Sequence, residues 1–395
     1  MLVTAALLMS AQPAFAANAV RVNSTSLHSQ TMPDIAIRGD YVVAVWQSDA
    51  NYRWEIYAAV SQTGGETFGR EILIAGGESQ NHQAPSVAIS PEGRACVAWH
   101  GITDDLDYDI LMSCTGSPGG DFSAPVRINR VKQGNQLFPS IAFAPDGTLH
   151  AAWHDNRSNP SDYSIYTARS AGGADFEDGL KLSESAGLNL WASLAVSERM
   201  VAVAWQGPAE GGSDIFAALS EDGGTSFSKP ASPPKRNKKN RDMPAVGISD
   251  GIVQLTWAEQ RALKPPPDDT LRRFSNSDFD INFSFAKNNM EFSEPVRVND
   301  ERDGHQLRPD MIALPGAETA VAWFDGRSIA DFDIYLSLGR RGKFMPSLRV
   351  NATEHSNSRN VRLSSDGGAL VIIWQDDAEG NYEIYSLRAP IGSLR

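Results

Sequence analysis

The segment Pro139–Phe176, PSIAFAPDGTLHAAWHDNRSNPSDYSIYTARSAGGADF, divides into a strand (Ser140–Ala144), a Pro-Asp-Gly turn, a strand ending in Trp153, a polar loop, a strand (Tyr163–Ala168) and a Gly-Gly turn into a fourth short strand. That is a four-stranded antiparallel meander, the size of one propeller blade. Working outward, the same unit returns along the chain, with a tryptophan closing its second strand each time: Trp46, Trp99, Trp153, Trp205, Trp257, Trp323 and Trp374. The spacings are 53, 54, 52, 52, 66 and 51 residues, a steady period with one long insertion. The pattern predicts an all-β, seven-bladed propeller.

Third strands repeat an acid-Ile pair, as in Asp109-Ile110, Asp333-Ile334 and Glu383-Ile384. Fourth strands read Val126-Arg127-Ile128-Asn129, Val296-Arg297-Val298-Asn299 and Leu348-Arg349-Val350-Asn351. The seventh unit stops before this motif, but Val20-Arg21-Val22-Asn23 carries it at the other end of the chain. An N-terminal strand is therefore expected to complete the last blade, close the ring and remove free sheet edges.

A chain of 395 residues could hold two or three domains by length, but a repeat array overrides that prior, and residues 17–395 are read as one propeller domain. Met1–Ala16 has an apolar centre and ends Ala14-Phe15-Ala16, the pattern of a cleaved signal peptide, so the protein is expected to be exported, to the periplasm or the extracellular space. No stretch reaches the roughly 20 apolar residues of a membrane span. A formal charge of −13 argues against nucleic acid and anionic membrane surfaces as partners. Cys96 and Cys114 fall at symmetric positions on neighbouring strands of the second unit, where a disulfide and two buried thiols are both possible. A closed ring needs no partner to finish it, and a monomer is expected.

The loops after each tryptophan and the connections between units project on one face, which is unusually polar. Three loops share an acid-x-Arg spacing: Asp155-Asn156-Arg157, Glu259-Gln260-Arg261 and Asp325-Gly326-Arg327. Each arginine either braces its own loop through the carboxylate or points its fork at an acidic ligand. His154, Asp376, His82, His305 and Gln306 join them on that face, where the connections between units are expected to ring the central channel. Asp155 and His154 are the catalytic candidates; Arg157, Glu259, Arg261, Asp325, Arg327, Asp376, His82, His305 and Gln306 are the ligand-binding candidates. The scattered His and Asp have no metal-ligand spacing, and no cofactor motif occurs, so neither a metal nor a cofactor is expected. Two departures, the basic run Lys235–Arg241 and the long loop Ala258–Asp280, are expected to be neighbours, either as solvated loops or as a wall that attracts anions.

The turn Ser220-Glu221-Asp222-Gly223-Gly224-Thr225-Ser226-Phe227 matches the Asp-box pattern, S-x-D-x-G-x-[T/S]-[W/F], and Ser61–Phe68 is the same turn with Thr63 in place of the acid. Together with the Trp-x-Asp-x-Arg loop and the Asp-Ile-Tyr strands, the chain resembles the BNR, or sialidase, superfamily of β-propellers over nearly its whole length. The resemblance implies Asp155 as the counterpart of the sialidase acid/base aspartate. The chain departs from catalytic sialidases in lacking the Phe/Tyr-Arg-Ile-Pro signature and in counting seven blades where they have six. Three functions follow as alternatives: a propeller that binds a glycan or a protein partner through the polar face, a glycoside hydrolase with paired carboxylates, and a polysaccharide lyase with a His or Tyr base and Arg.

Overall fold

A computed structural model describes residues 18–394, except 50–51, 78–80, 104–105, 174, 236–238, 262–277, 288, 329–330 and 354. The leader, part of the basic run and most of the long loop therefore lie outside the described residues. Seven antiparallel sheets form seven blades. Their innermost strands are Gln30–Arg38, His82–Ile89, Gln136–Phe143, Leu190–Ser197, Arg241–Ser249, Gln306–Leu314 and Ser358–Ser365, for blades one to seven.

The second strand of each blade is buried on both faces, as in Val42-Val43-Ala44-Val45-Trp46, every residue of which is inaccessible. Such runs of β-branched and small residues, without polar alternation, suit a strand sandwiched between neighbours. Seven apolar clusters follow, each shared by two adjacent blades. The cluster of Val371, Ile373 and Ile384 with Ile35, Val42 and Trp46 joins blade seven to blade one. Each buried tryptophan is worth about 3–5 kcal/mol against truncation to alanine.

The N-terminal strand completes blade seven as the sequence predicts. Val20 pairs with Ser386 and Arg21 with Tyr385, and Val22 N–H donates to Ile384 O at 2.8 Å. Asn23 explains the repeated fourth-strand motif: its Oδ1 accepts from Ile384 N–H at 2.7 Å, while its Nδ2 donates to Glu383. Asn129, Asn299 and Asn351 clamp Ile110, Ile281 and Ile334 in the same way, at 2.8–2.9 Å, each donating to the acid before the isoleucine. The motif stitches the outermost strand to the third where the ladder is only two residues long.

The turn at Ser220–Phe227 is bonded to itself: Ser220 Oγ accepts from Gly224 N–H at 2.8 Å, and Asp222 Oδ1 accepts from Thr225 and Ser226 N–H at 3.0 and 2.9 Å. Thr63 serves the carboxyl-free version of the same length, accepting from Thr67 N–H at 3.0 Å. Cys96 and Cys114 are cross-strand partners joined by a disulfide. Arg241, at the end of the basic run, is 1% exposed rather than solvated. It bonds Glu259, Asp214 and the carbonyls of Pro233 and Pro234 at 2.8–3.3 Å. A buried guanidinium must fill its donors, and here it ties blades four and five together.

Candidate functional site: the channel mouth

The innermost strands carry a second repeated motif. It reads Met32-Pro33-Asp34, Ala84-Pro85-Ser86, Phe138-Pro139-Ser140, Trp191-Ala192-Ser193, Met243-Pro244-Ala245, Arg308-Pro309-Asp310 and Asn360-Val361-Arg362. In all seven blades the register to the second strand shifts at this motif. The first residue is left-handed, with φ between 47 and 58°. A bulge leaves the proline out of the ladder, where its missing N–H costs nothing. Left-handed non-glycine residues cost about 1 kcal/mol or more each and persist only when their surroundings hold them.

What holds them is the residue after the tryptophan of the preceding blade. Gln47 accepts from Ala84 N–H (2.8 Å), His100 Nδ1 from Phe138 N–H (3.3 Å), His154 Nε2 from Trp191 N–H (2.5 Å), Gln206 from Met243 N–H (3.3 Å) and Gln375 from Met32 N–H (3.1 Å). Blades five and six have Ala258 and Phe324 in that slot, which offer no acceptor. One level down, Asp34, Ser86, Ser193 and Asp310 accept a backbone N–H of the next blade at 2.7–3.3 Å.

The bulges surround a cavity of ≈ 280 Å³ whose lining comes from all seven innermost strands. Its mouth has two unlike sides. On blades three and four Phe138 and Trp191 lie 5.0 Å apart by ring centroid, over His100 and His154. On blades six and seven Arg308 and Arg362 line the cavity, and Arg359, outside the lining, stands near Arg308. Arg308 reaches across: its guanidinium lies 5.2 Å from the Trp191 ring and its Nη1 donates to Asn360 Oδ1 at 2.6 Å. Arg359 lies 4.8 Å from the Phe332 ring, and its buried Nε has no hydrogen-bond partner among the described residues. Among the described residues neither Arg308 nor Arg359 has a carboxylate partner. Burial, with Arg362 and Arg359 nearby, pushes the Arg308 guanidinium down to about 10. Burial also raises Asp310 to about 6 and raises Asp34, although Arg362 between them opposes both shifts. The mouth is thus crowded with cations whose countercharge is incomplete.

The structure distributes the eleven residues singled out from sequence over five blades, and none of them lines the cavity. In blade three, Asp155 accepts from Trp153 Nε1 (3.0 Å) and from Arg157 N–H and Nε (both 2.9 Å), and Arg157 stacks 4.1 Å from Tyr166. In blade six, Asp325 accepts from Trp323 Nε1 (2.8 Å), Arg327 N–H (2.9 Å) and Gln306 (3.2 Å), and Arg327 stacks 3.7 Å from Tyr335. Glu259 accepts from Trp257 and Arg241. Arg261 bonds the carbonyls of Arg302 and Gly304, beside His305, which lies 3.5 Å from Asp278. Asp376 accepts three hydroxyls, from Thr353, Ser356 and Ser358. His82 accepts from Trp99 Nε1 at 2.9 Å and is held neutral, its burial lowering it to about 4. His154 is buried behind Trp191 and Phe138. His82 and Gln306, expected to ring the channel, are instead buried, and the channel ring begins two residues further on, at Ala84 and Arg308. Sequence reading missed Arg308, Arg359, Arg362, Phe138 and Trp191; the recurring x-Pro-Asp/Ser step is a signal that finds Phe138 and Arg308, whereas Trp191, Arg359 and Arg362 lie in blades whose step lacks the proline.

Among the described residues no three His, Cys, Asp or Glu side chains gather as a metal site requires, and no helix is long and apolar enough to cross a membrane. No protein-family model and no curated protein matches the sequence. Solved structures match in fold. A PL25 ulvan lyase, solved bound to -[GlcA(1-4)Rha3S]-, superposes with a TM-score of 0.64 at 10% identity over 95% of this chain and 99% of that one. The GH93 α-L-arabinofuranosidase of Fusarium graminearum gives 0.55 at 12% identity, over 95% and 98%. The NanB sialidase of Streptococcus pneumoniae gives 0.51 at 11% identity, over 94% and 70%. At these identities the likeness establishes a sialidase-like propeller fold and no residue role.

Proposed function

We propose that this chain is an exported, sialidase-like propeller of the Asp-box kind that binds an acidic glycan at the channel mouth. One observation carries the reading: Arg308, without a carboxylate partner among the described residues, lies across the mouth against the face of Trp191. An aromatic plane beside an unneutralised guanidinium suits a sugar ring that bears a carboxylate or sulfate, the ring covering Trp191 and Phe138 and the acid meeting Arg308 and Arg359. Export rests on the leader at Met1–Ala16 and agrees with the Cys96–Cys114 disulfide, since such bonds persist in oxidising compartments.

A lyase is the second reading, favoured by Tyr382. Its hydroxyl makes no hydrogen bond to the described residues, and it lies near enough to Arg359 for that charge to oppose the upward shift that burial gives it. Hydrolysis by paired carboxylates has less support, because Asp155, Asp325 and Glu259 already serve buried tryptophans and arginines. The test is to incubate the mature protein with uronic-acid, sulfated and neutral polysaccharides, measuring retention on each and the mass of any soluble products. Retention by acidic polymers alone, weakened by salt, supports the binding reading. Unsaturated products add the lyase, products that gain water replace it with a hydrolase, and equal retention by neutral polymers removes the role given to Arg308.

A further inference from the structure

We infer that His100 and His154 are positioning residues, each fixing from one blade the aromatic side chain that the next blade presents at the mouth. The inference rests on the mouth being the ligand site and goes beyond it, because neither histidine lines the cavity. His154 Nε2 takes the N–H of Trp191 at 2.5 Å and that of Ala192 at 3.3 Å, so it grips the left-handed residue and its successor together. His100 Nδ1 takes the N–H of Phe138. Both rings must be neutral to accept, and both are fully enclosed.

The imidazoles also do something the glutamines of the same slot do not. The Phe138 ring packs against His100 at 5.0 Å, against His154 at 5.4 Å with the planes 29° apart, and against Trp191 at 5.0 Å. Each histidine therefore holds the backbone of the platform through one nitrogen and its side chains through the ring face. The arrangement carries a cost: His154 Nδ1, the protonated nitrogen once Nε2 accepts, is buried without a partner among the described residues, and such a donor costs about 1–3 kcal/mol. Gln47, Gln206 and Gln375 cap the same step with no buried unpartnered atom. The histidines occur only where the next blade carries an aromatic residue at the mouth, Phe138 and Trp191; Ala84, Met243 and Met32 are capped by glutamine. Orientation of the aromatic platform, rather than folding alone, accounts for that placement.

The chain supplies its own controls, since the slot is Gln in three blades and Ala or Phe in two. Full-length protein labelled with 5-fluorotryptophan gives a fluorine resonance for Trp191, assigned by its loss in Trp191→Phe. His154→Ala is expected to broaden or split that resonance while that of Trp205 stays single, and to weaken retention of polygalacturonate by about tenfold, the scale of one lost hydrogen bond. His154→Gln restores the acceptor and should recover the single resonance and most of the retention. An unchanged Trp191 resonance in His154→Ala overturns the positioning role. Failure of the ligand reading shows separately: Trp191→Ala would then leave retention of polygalacturonate as it was, whatever the resonance does in the histidine variants. Should His154→Ala fail to fold, His100→Ala read against His100→Gln at the same Trp191 resonance and on polygalacturonate decides the point through Phe138.

Discussion

Arg157 and Arg327 stand in different blades yet make the same set of contacts: a carboxylate two residues back, a buried tryptophan N–H sharing that carboxylate, and a tyrosine ring beneath the guanidinium. Arg308 and Arg359, on the innermost strands of blades six and seven, repeat nothing found elsewhere in the ring and have no carboxylate among the described residues. The difference teaches how to read a repeat protein. A polar constellation that recurs with the same partners is scaffold, because each blade faces the same packing problem. A cation that breaks the repeat and lacks a countercharge has its partner still to come.

The largest expected effect falls on the scaffold side. Asp155→Ala or Asp325→Ala leaves a buried tryptophan N–H and a half-buried guanidinium without their acceptor, and should lower unfolding stability by about 3–5 kcal/mol in denaturant melts. A loss under about 1 kcal/mol would place these carboxylates outside the scaffold and erase the contrast.

Acidity sharpens it next. His82, His100, His150 and His154 are lowered to about 3–4, with burial as the first cause. Between the unfolded value near 6.5 and those folded values, the unfolded chain binds protons that the folded chain does not. Stability is therefore complete above pH 6.5 and falls as pH drops, by about 1–2 kcal/mol per histidine near pH 5. Asp310, raised to about 6, acts in the opposite sense: its folded form keeps a proton between pH 4 and 6 that the unfolded form has lost, so its contribution declines as pH rises through that window. Melting curves across pH 4–7 should show a net loss toward acid, and His154→Gln should flatten the slope; an unchanged slope would mean that this ring is not held neutral.

A smaller effect belongs to Asp310→Asn. The amide still accepts from Leu363 N–H, so stability at pH 7 should rise by about 1–2 kcal/mol as the buried charge is removed. A fall in stability would show that the Arg362 partnership outweighs desolvation.

The blade count, the closing strand and the fourth-strand asparagine motif were legible because each is a local pattern repeated at a fixed period. The disulfide was half legible, as cross-strand symmetry allowed it without requiring it. The mouth was harder to find. Asp155, Asp325 and Glu259 drew attention as charged residues in loops, but a loop carboxylate and the arginine beside it can satisfy each other, and sequence spacing does not tell a paired fork from a free one. His82 and Gln306 looked like channel residues because they precede the innermost strand. The bulge two residues later turns the chain, so it is the residue before the proline that reaches the mouth. Trp191 and Phe138 were not singled out for the same reason: alternation along a strand assumes an unbroken register, and every innermost strand breaks it.

The central claim is that the arginine without a carboxylate among the described residues, not the one paired with an aspartate, meets the ligand. The most direct measurement compares Arg308→Ala with Arg327→Ala, recording retention on polygalacturonate and the melting midpoint of each. The account predicts that Arg308→Ala folds as the parent does and loses retention by tenfold or more, the worth of about one charged hydrogen bond, while Arg327→Ala melts earlier and its folded fraction binds as before. The reverse pattern, with retention intact in Arg308→Ala and lost in folded Arg327→Ala, would contradict it.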